Sequence, residues 1–256
     1  MIALLGNLSR DLLPDEPPRP GGAPYHAARA FRRLHVPGRI VARCAVEDRA
    51  ELFDPVVALG SSARFVPGAA TASFEISYDG DHRHMRLAAI GDSWLPNDVP
   101  PLPDAVRWVH VAPLARSDFP AETIAAIAKR RRVLLDGQGL VRAPTLGPLE
   151  LDADYDPELL RHVWALKLSE EEAEVLGDPR ELPVREVLLT HGSRGATLIA
   201  GGRETEIRGR VVATANPTGA GDAFSVAYAV ARSTGAPPIG AAKQAAALVS
   251  ALLGSR

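Results

Sequence analysis

Apolar and polar residues alternate with two periods along this chain, and the switches between them outline its elements. A continuous apolar run at 2–5, closed by Gly6, predicts a buried strand. The proline-rich stretch 14–24 that follows cannot be regular helix. Beyond Gly21-Gly22, the residues Ala23, Ala27, Ala30, Phe31 and Leu34 recur at helical spacing with Arg29, Arg32 and Arg33 on the other side. Residues 39–46 predict a strand, Asp48 starts a helix, and Asp54-Pro55 supplies a cap and first-turn pair that restarts it up to Leu59. Residues 71–78 alternate, Asp79-Gly80 marks a turn, and 83–90 runs back, which together predict a β-hairpin. Strands are expected at 106–112, 133–136, 163–166, 187–190, 196–200 and 204–212, with a helix at 117–131 and a glycine turn at Gly201-Gly202. Two helices close the chain: 223–231, apolar at nearly every position and therefore sheathed on all sides, and an Ala-rich helix at 237–253. Strand–helix alternation from 106 onward predicts an α/β fold with a mainly parallel sheet covered on both faces. The length fits one large domain of this kind.

Composition removes several function classes. Lys and Arg total 29 against 31 Asp and Glu, a net charge of −2, which makes no electrostatic case for nucleic acid or an anionic membrane as partner. The K-R-R-R run at 129–132 reads as cations complementing a helix C-terminus. A single cysteine, Cys44, rules out an internal disulfide and any multi-cysteine metal site, and its apolar setting predicts a buried strand thiol. His82 and His84 fall on one face of a hairpin strand, but without a third ligand they read as a solvated tip rather than a metal site. The apolar N-terminal run is too short for a signal peptide and no run approaches a membrane span, so a cytoplasmic protein is expected. No GxGxxG turn follows the first strand, which argues against a dinucleotide oxidoreductase.

The chemistry concentrates just before the sheathed helix. Gly219 and Gly221 flank Ala220 directly ahead of Asp222. A buried helix begins with backbone N–H groups that lack intrahelical partners and with the positive end of its dipole. Glycines there allow a ligand to come close, so the turn is an anion cradle. A carboxylate beside an anion site is electrostatically out of place, which suggests that Asp222 has a task; a dipole-friendly Asp in a first turn is the plain structural alternative. Asp136, Gln138 and Arg142 lie at the C-terminal edge of an expected strand, where ligands gather in open α/β sheets, though Gly137 and Gly139 also suit a mere turn. Ser169 and Glu172 form an S-x-x-E capping box.

The stretch N-P-T-G-A-G-D-A-F at 216–224 resembles the D-T-x-G-A-G-D signature of the ribokinase-like (PfkB) carbohydrate kinases, with Asn216 and Pro217 as departures. Other stations follow that family's order. G-N-L-S-R-D ends at Asp11; a G-G-x-x-x-H-x-A begins at Gly21, with His26 at the usual Asn position; D-G-Q-G-L-V-R begins at Asp136. Ser169 opens S-x-x-E where the family has N-x-x-E, and Thr190 opens T-H-G-S-R-G. The resemblance implies a ribokinase-like fold, as a single kinase domain over 1–256, with a small β-sheet lid contributed by about 10–20 and 71–91. It implies ATP and Mg2+ as cofactors, Asp222 as catalytic base, and the amides of Gly219, Ala220 and Gly221 holding the transferring phosphate. By the same resemblance Asp11, Gly21, Gly22 and His26 contact the substrate. Thr190, Gly192, Gly195, Thr218, Lys167 and Ser169 line the nucleotide, and Glu172 organises Mg2+ through water. The implied function is phosphorylation of a hydroxyl on a small sugar or polyol. An inositol or nucleoside kinase of the same family, towards which G-G-x-x-Y and D-x-Q-G-x-x-R lean, stays open. So do a non-catalytic nucleotide- or sugar-binding regulator of the same fold, and dimerisation through the lid.

Overall fold

All of β1 (Ile2–Asn7) is buried, as a continuous apolar run requires of a strand covered on both faces. The protein's structure is a computed structural model that describes residues 1–79, 82–209 and 219–253. After β1 come β2 (Ser9–Leu12), β3 (Arg19–Gly21), α1 (Ala23–Leu34), β4 (Gly38–Ala45), α2 (Arg49–Leu52), α3 (Asp54–Ala58) and β5 (Ser62–Gly68). The middle of the chain forms β6 (Ala72–Asp79), β7 (His82–Ala89), β8 (Trp108–Ala112), α4 (Ala121–Ala128), β9 (Arg132–Asp136), α5 (Gln138–Val141) and β10 (Gly147–Pro148). The last part forms β11 (Ala165–Ser169), α6 (Glu170–Leu176), β12 (Glu186–Thr190), β13 (Gly195–Ala200), β14 (Arg203–Arg208), α7 (Ala220–Ser233) and α8 (Pro238–Leu253).

Among the described residues the main sheet has nine strands in the order β14-β13-β12-β11-β9-β8-β1-β4-β5. It is parallel from β12 to β5, and β13 and β14 add antiparallel at one edge. Side chains alternate between its two faces. Leu4, Trp108, Leu134 and Ala165 point into a core with Ala27, Phe31, Phe224, Tyr228 and Ala242 of α1, α7 and α8. Val109, Val133, Leu135 and Leu166 point to the opposite core, where Ile124 and Ile127 of α4 and Ala173 of α6 meet them. A smaller accessory sheet, β10-β7-β6-β2-β3, packs Phe74, Ile76 and Leu87 against Leu114. This is the expected α/β architecture, a largely parallel sheet between helices with a small second sheet. Within it α7 is buried continuously from Ala223 to Ala229, in keeping with its apolar sequence.

Several boundaries differ from expectation, each for a local reason. The strand expected at 163–166 lies at Ala165–Ser169 instead, carrying the polar Lys167 inside the sheet, where it pairs in register with Asp136. The helix expected at 117–131 is shorter. Pro120 is its N-cap, and Asp118 turns back so that its Oδ2 accepts the Leu114 N–H at 2.8 Å. Nor does K-R-R-R end that helix, because Arg132 starts β9 and lays its guanidinium over the Trp164 ring at 4.3 Å. Asp54 is the first residue of α3 rather than its cap. β5 was not anticipated: it is an edge strand with Val66 its one buried position and Pro67 inside it, so no apolar run marks it. Cys44 is buried as expected, and burial pushes its thiol up to about 12. Gly80 of the hairpin turn and the end of the strand expected to reach Val212 lie outside the described residues.

Candidate active site

The parallel strands end together along one edge of the main sheet. β1 lies between β4 and β8, so the chain builds outward to β5 on one side and then returns to build towards β12 on the other. The crevice at such a reversal is where open α/β sheets bind ligands. Asn7, Asp136, Ser169 and Thr190 are the last residues of their strands at this edge, and α7 starts beside it. Gly219 is the N-cap of α7 at φ 81°, in the left-handed region that favours glycine, and no side chain caps the helix. Its first-turn N–H groups are therefore left to a ligand or solvent. Thr218, Pro217 and Asn216 lie outside the described residues.

A buried lysine sits under this turn. Lys167 Nζ is 3.4 Å from Asp136 Oδ1 and 3.9 Å from Glu172 Oε2. A Cβ built on Gly221 would lie 3.5 Å from the same Nζ, so the ammonium and the helix terminus face one spot. Burial pulls the Lys167 pKa down, but Asp136, Glu172 and Asp222 together hold it above its ordinary value. Asp136 is almost fully buried, and burial would raise its pKa. Lys167 first, then His110, Gln138 and Arg142, hold it below the usual carboxylate range. Gln138 reinforces this with an Nε2 donor 3.2 Å from Asp136 Oδ1. Asp222 is half-buried in the first turn of α7. Burial, with like charge from Asp136 and Asp11, pushes its carboxyl up to about 7 against the opposing pull of Lys167 and Arg142.

The positions expected on the substrate side lie near the same sheet edge. Asp11 on β2 accepts the Ser9 hydroxyl at 2.9 Å and interacts electrostatically with Asp222. Gly21 pairs with Ser9 across β2 and β3. Gly22, at φ 84°, is the N-cap of α1, and any Cβ there would come 2.5 Å from the Asn7 carbonyl oxygen. His26, at the end of the first turn of α1, packs on the other glycine cap: a Cβ on Gly219 would fall 2.6 Å from its Nδ1.

The remaining positions lie further along the edge or within local structure. Ser169 and Glu172 make a complete capping box, with Ser169 N–H donating to Glu172 Oε2 at 2.8 Å and Glu172 N–H donating to Ser169 Oγ at 3.2 Å. The Thr190 hydroxyl donates to the Leu168 carbonyl at 2.9 Å, which ties β12 to β11. Gly192 and Gly195 shape the loop after β12, where His191 bridges Glu170 and Thr197. Among the described residues no cluster of three or more His, Cys, Asp or Glu could hold a metal by itself. The oxygens near the cradle are carboxylates, hard donors that suit Mg2+ when phosphate oxygens complete its shell. Sequence reasoning missed three polar residues here. Asn7 accepts the Trp94 indole N–H at 2.7 Å, Asp118 is buried with its carboxyl pushed up to about 7 by that burial, and His110 is fully buried in β8. The signal available for His110 was a single polar residue inside W-V-H-V-A.

The class these features define is an α/β protein whose sheet edge brings an uncapped helix terminus, a buried lysine and a half-buried carboxylate together. The pfkB family carbohydrate kinase model matches residues 99–256, and the chain belongs to that family. Its fold is that of solved ribokinase-family kinases. One is a sulfate complex of a pyrophosphate-dependent kinase, 26% identical over 99% of this chain and 95% of that one, with a TM-score of 0.85. Another is a pyrophosphate-dependent kinase with a pyrophosphate analog and myo-inositol, at 24% identity, the same coverage and a TM-score of 0.86. A sugar kinase from Pyrococcus horikoshii in complex with ATP superposes at 19% identity, covering 100% and 93%, with a TM-score of 0.77. Among the described residues no helix is long and apolar enough to cross a membrane.

Proposed function

We propose that the chain is a kinase domain that transfers a phosphoryl group from ATP to a hydroxyl of a small sugar or polyol. The observation that carries this reading is Asp222, half-buried beside the uncapped turn of α7 with its carboxyl raised to about 7. A base titrating near the working pH is the best compromise between being ionised and wanting a proton. Asp222 takes the proton from the attacking hydroxyl, which Asp11 orients. The amides of Gly219, Ala220 and Gly221, with the α7 dipole and Lys167, stabilise charge on the transferring group, and fixed amides need no reorganisation as that charge grows. His26 and the Gly21-Gly22 turn shape the acceptor side, and Arg142 faces the same charges from the end of α5. Thr190, Gly192, Gly195 and Ser169 line the donor's far side. Mg2+ bound with the donor would be held through water by Glu172 and would neutralise phosphate charge.

A second reading concerns the donor and the acceptor. The solved kinases at 25–26% identity are pyrophosphate-dependent, and one concerns the conversion of a myo-inositol-1 kinase into a myo-inositol-3 kinase. This supports pyrophosphate as donor and an inositol as acceptor. One experiment separates the readings: purified protein and Mg2+ with ATP or pyrophosphate against a panel of sugars, inositols and nucleosides, read as ADP or phosphate release. Turnover with ATP on a sugar or polyol supports the first reading, and turnover with pyrophosphate alone supports the second. Ligand binding with no turnover on any pair would sink both and leave a non-catalytic regulator, for which the departures at His26, Ser169 and Asn216 argue.

A further inference from the structure

A polar cluster that this reading does not use lies beneath the mouth of α7. His110 is fully buried in β8 and stands in register with Leu4 of β1 and Leu134 of β9. Because strand side chains alternate, His110 shares a face with Trp108, Leu134, Asp136, Ala165 and Lys167. That face is the one α7 covers. Among the described residues neither ring nitrogen of His110 has a hydrogen-bond partner, and neither do Asp136 Oδ2 and Ser225 Oγ, all of them buried atoms. Ser225 is fully buried and stands three residues after Asp222 on α7, so it lies on the same side of the helix.

Unmet buried polar groups are costly, about 1–3 kcal/mol each. Three side chains with unmet atoms, two on the covered face and one on the helix that covers it, call for a shared partner. A buried water typically supplies about three hydrogen bonds to such groups. The chemistry here is complementary, since a carboxylate oxygen only accepts, a neutral imidazole donates from one nitrogen, and a hydroxyl does both. Burial takes His110 down to about 4, with Asp136 opposing that and Lys167 adding to it, so the imidazole is neutral at physiological pH. His110 and Asp136 also interact electrostatically in both directions. A residue kept only to fill this space would be better apolar.

We infer that His110 is a positioning residue: with Ser225 it holds an ordered water on Asp136 Oδ2, and so fixes the carboxylate that aims Lys167 at the cradle. The inference rests on the phosphoryl-transfer reading only for what Lys167 is aimed at. Its test combines kinetics with a spectroscopic readout. His110→Leu is expected to lower kcat at least tenfold and to raise KM for the phosphoryl donor several-fold while moving acceptor KM less than twofold. His110→Asn, which keeps an N–H donor, should recover part of the loss. In 15N NMR of the full chain the His110 ring should stay neutral from pH 5.5 to 8, and its nitrogen shifts should move on Asp136→Asn. Unchanged kcat and donor KM in His110→Leu, or ring shifts indifferent to Asp136→Asn, would overturn the inference. If no donor and acceptor pair turns over, the NMR arm still decides the His110–Asp136 link, so failure of the functional reading is told apart. If His110→Leu does not fold, His110→Asn and the NMR arm decide it.

Discussion

Asp222 carries two opposite demands, and replacing it by Asn should expose both. Its carboxyl titrates at about 7 in the folded chain, against an ordinary 3.8. A base with that pKa is about one-tenth ionised at pH 6 and about nine-tenths at pH 8, so kcat/KM should rise roughly tenfold across that interval. Stability should move the other way. Between pH 3.8 and about 7 the unfolded chain ionises Asp222 while the folded chain keeps its proton, so the unfolded state binds fewer protons and stability falls as pH rises through this window. At 1.36 kcal/mol per pH unit, the full cost above pH 7 is up to roughly 4 kcal/mol. Asp222→Asn should therefore be more stable than the parent at pH 8 by up to about that amount, and no more stable at pH 4. Its kcat should fall by about 10²–10⁴ with donor binding retained. Urea unfolding of both proteins at pH 4 and 8, with kcat/KM from pH 5.5 to 9, makes the comparison. Near-normal turnover in Asp222→Asn, or the same stability increment at both pH values, would refute the reasoning.

Other perturbations test separate parts of the site and the fold. Gly219→Ala should cost about 1–3 kcal/mol of local strain, because φ is 81° and the added Cβ meets His26 at 2.6 Å. We expect at least a tenfold loss of kcat/KM, and a double variant with His26→Ala should recover only the steric part. Lys167→Met leaves Asp136 and Glu172 buried without their cation and should destabilise by about 3–5 kcal/mol in thermal unfolding. Adding Asp136→Asn should restore much of that stability but not activity. Glu186, at the opposite end of the sheet, accepts from Tyr228 at 2.6 Å, Arg232 at 2.5 Å and Trp164 at 3.1 Å. Glu186→Ala should cost about 3–5 kcal/mol by leaving Arg232 unpaired, with unchanged kcat in the folded fraction.

The sequence announced what periodicity and glycine can announce. Helix α7 is apolar at almost every position and is buried all round, and Gly219 before Asp222 could only be a turn leading into it. The hairpin of β6 and β7 was equally plain, since Phe74, Ile76 and Tyr78 alternate and Asp79-Gly80 breaks the run. What stayed hidden were polar residues inside apolar elements. Lys167 and Ser169 sit in β11, but a strand search stops at the lysine because a charge inside a sheet makes sense only once Asp136 is known to lie beside it. His110 was hidden in the same way, since its neighbours come from β1, β9 and α7, all distant in sequence. The capping box at Ser169 and Glu172 was legible and forms as expected, yet that local sufficiency also masked the approach of Glu172 to Lys167.

A net charge of −2 gives the molecule no general pull on anions, so the attraction must be built locally. Lys167 cannot supply it alone, because Asp136 and Glu172 largely cancel its charge. What remains are Arg142 and the helix termini. α1 follows Gly22 and α7 follows Gly219, both glycine caps at positive φ without a side-chain cap, and His26 of α1 packs directly on Gly219. Two uncapped N-termini thus meet at the crevice opened by the β1–β8 reversal. In the proposed reaction their dipoles, each equivalent to roughly half a positive charge, would offset part of the repulsion that Asp11, Asp136 and Asp222 exert on a phosphate. The field of a helix end fades within a turn, so under the proposed function it would favour a phosphoryl group at one spot rather than any anion nearby. An arrangement of that kind favours the charge of a transition state over uniform binding of the donor.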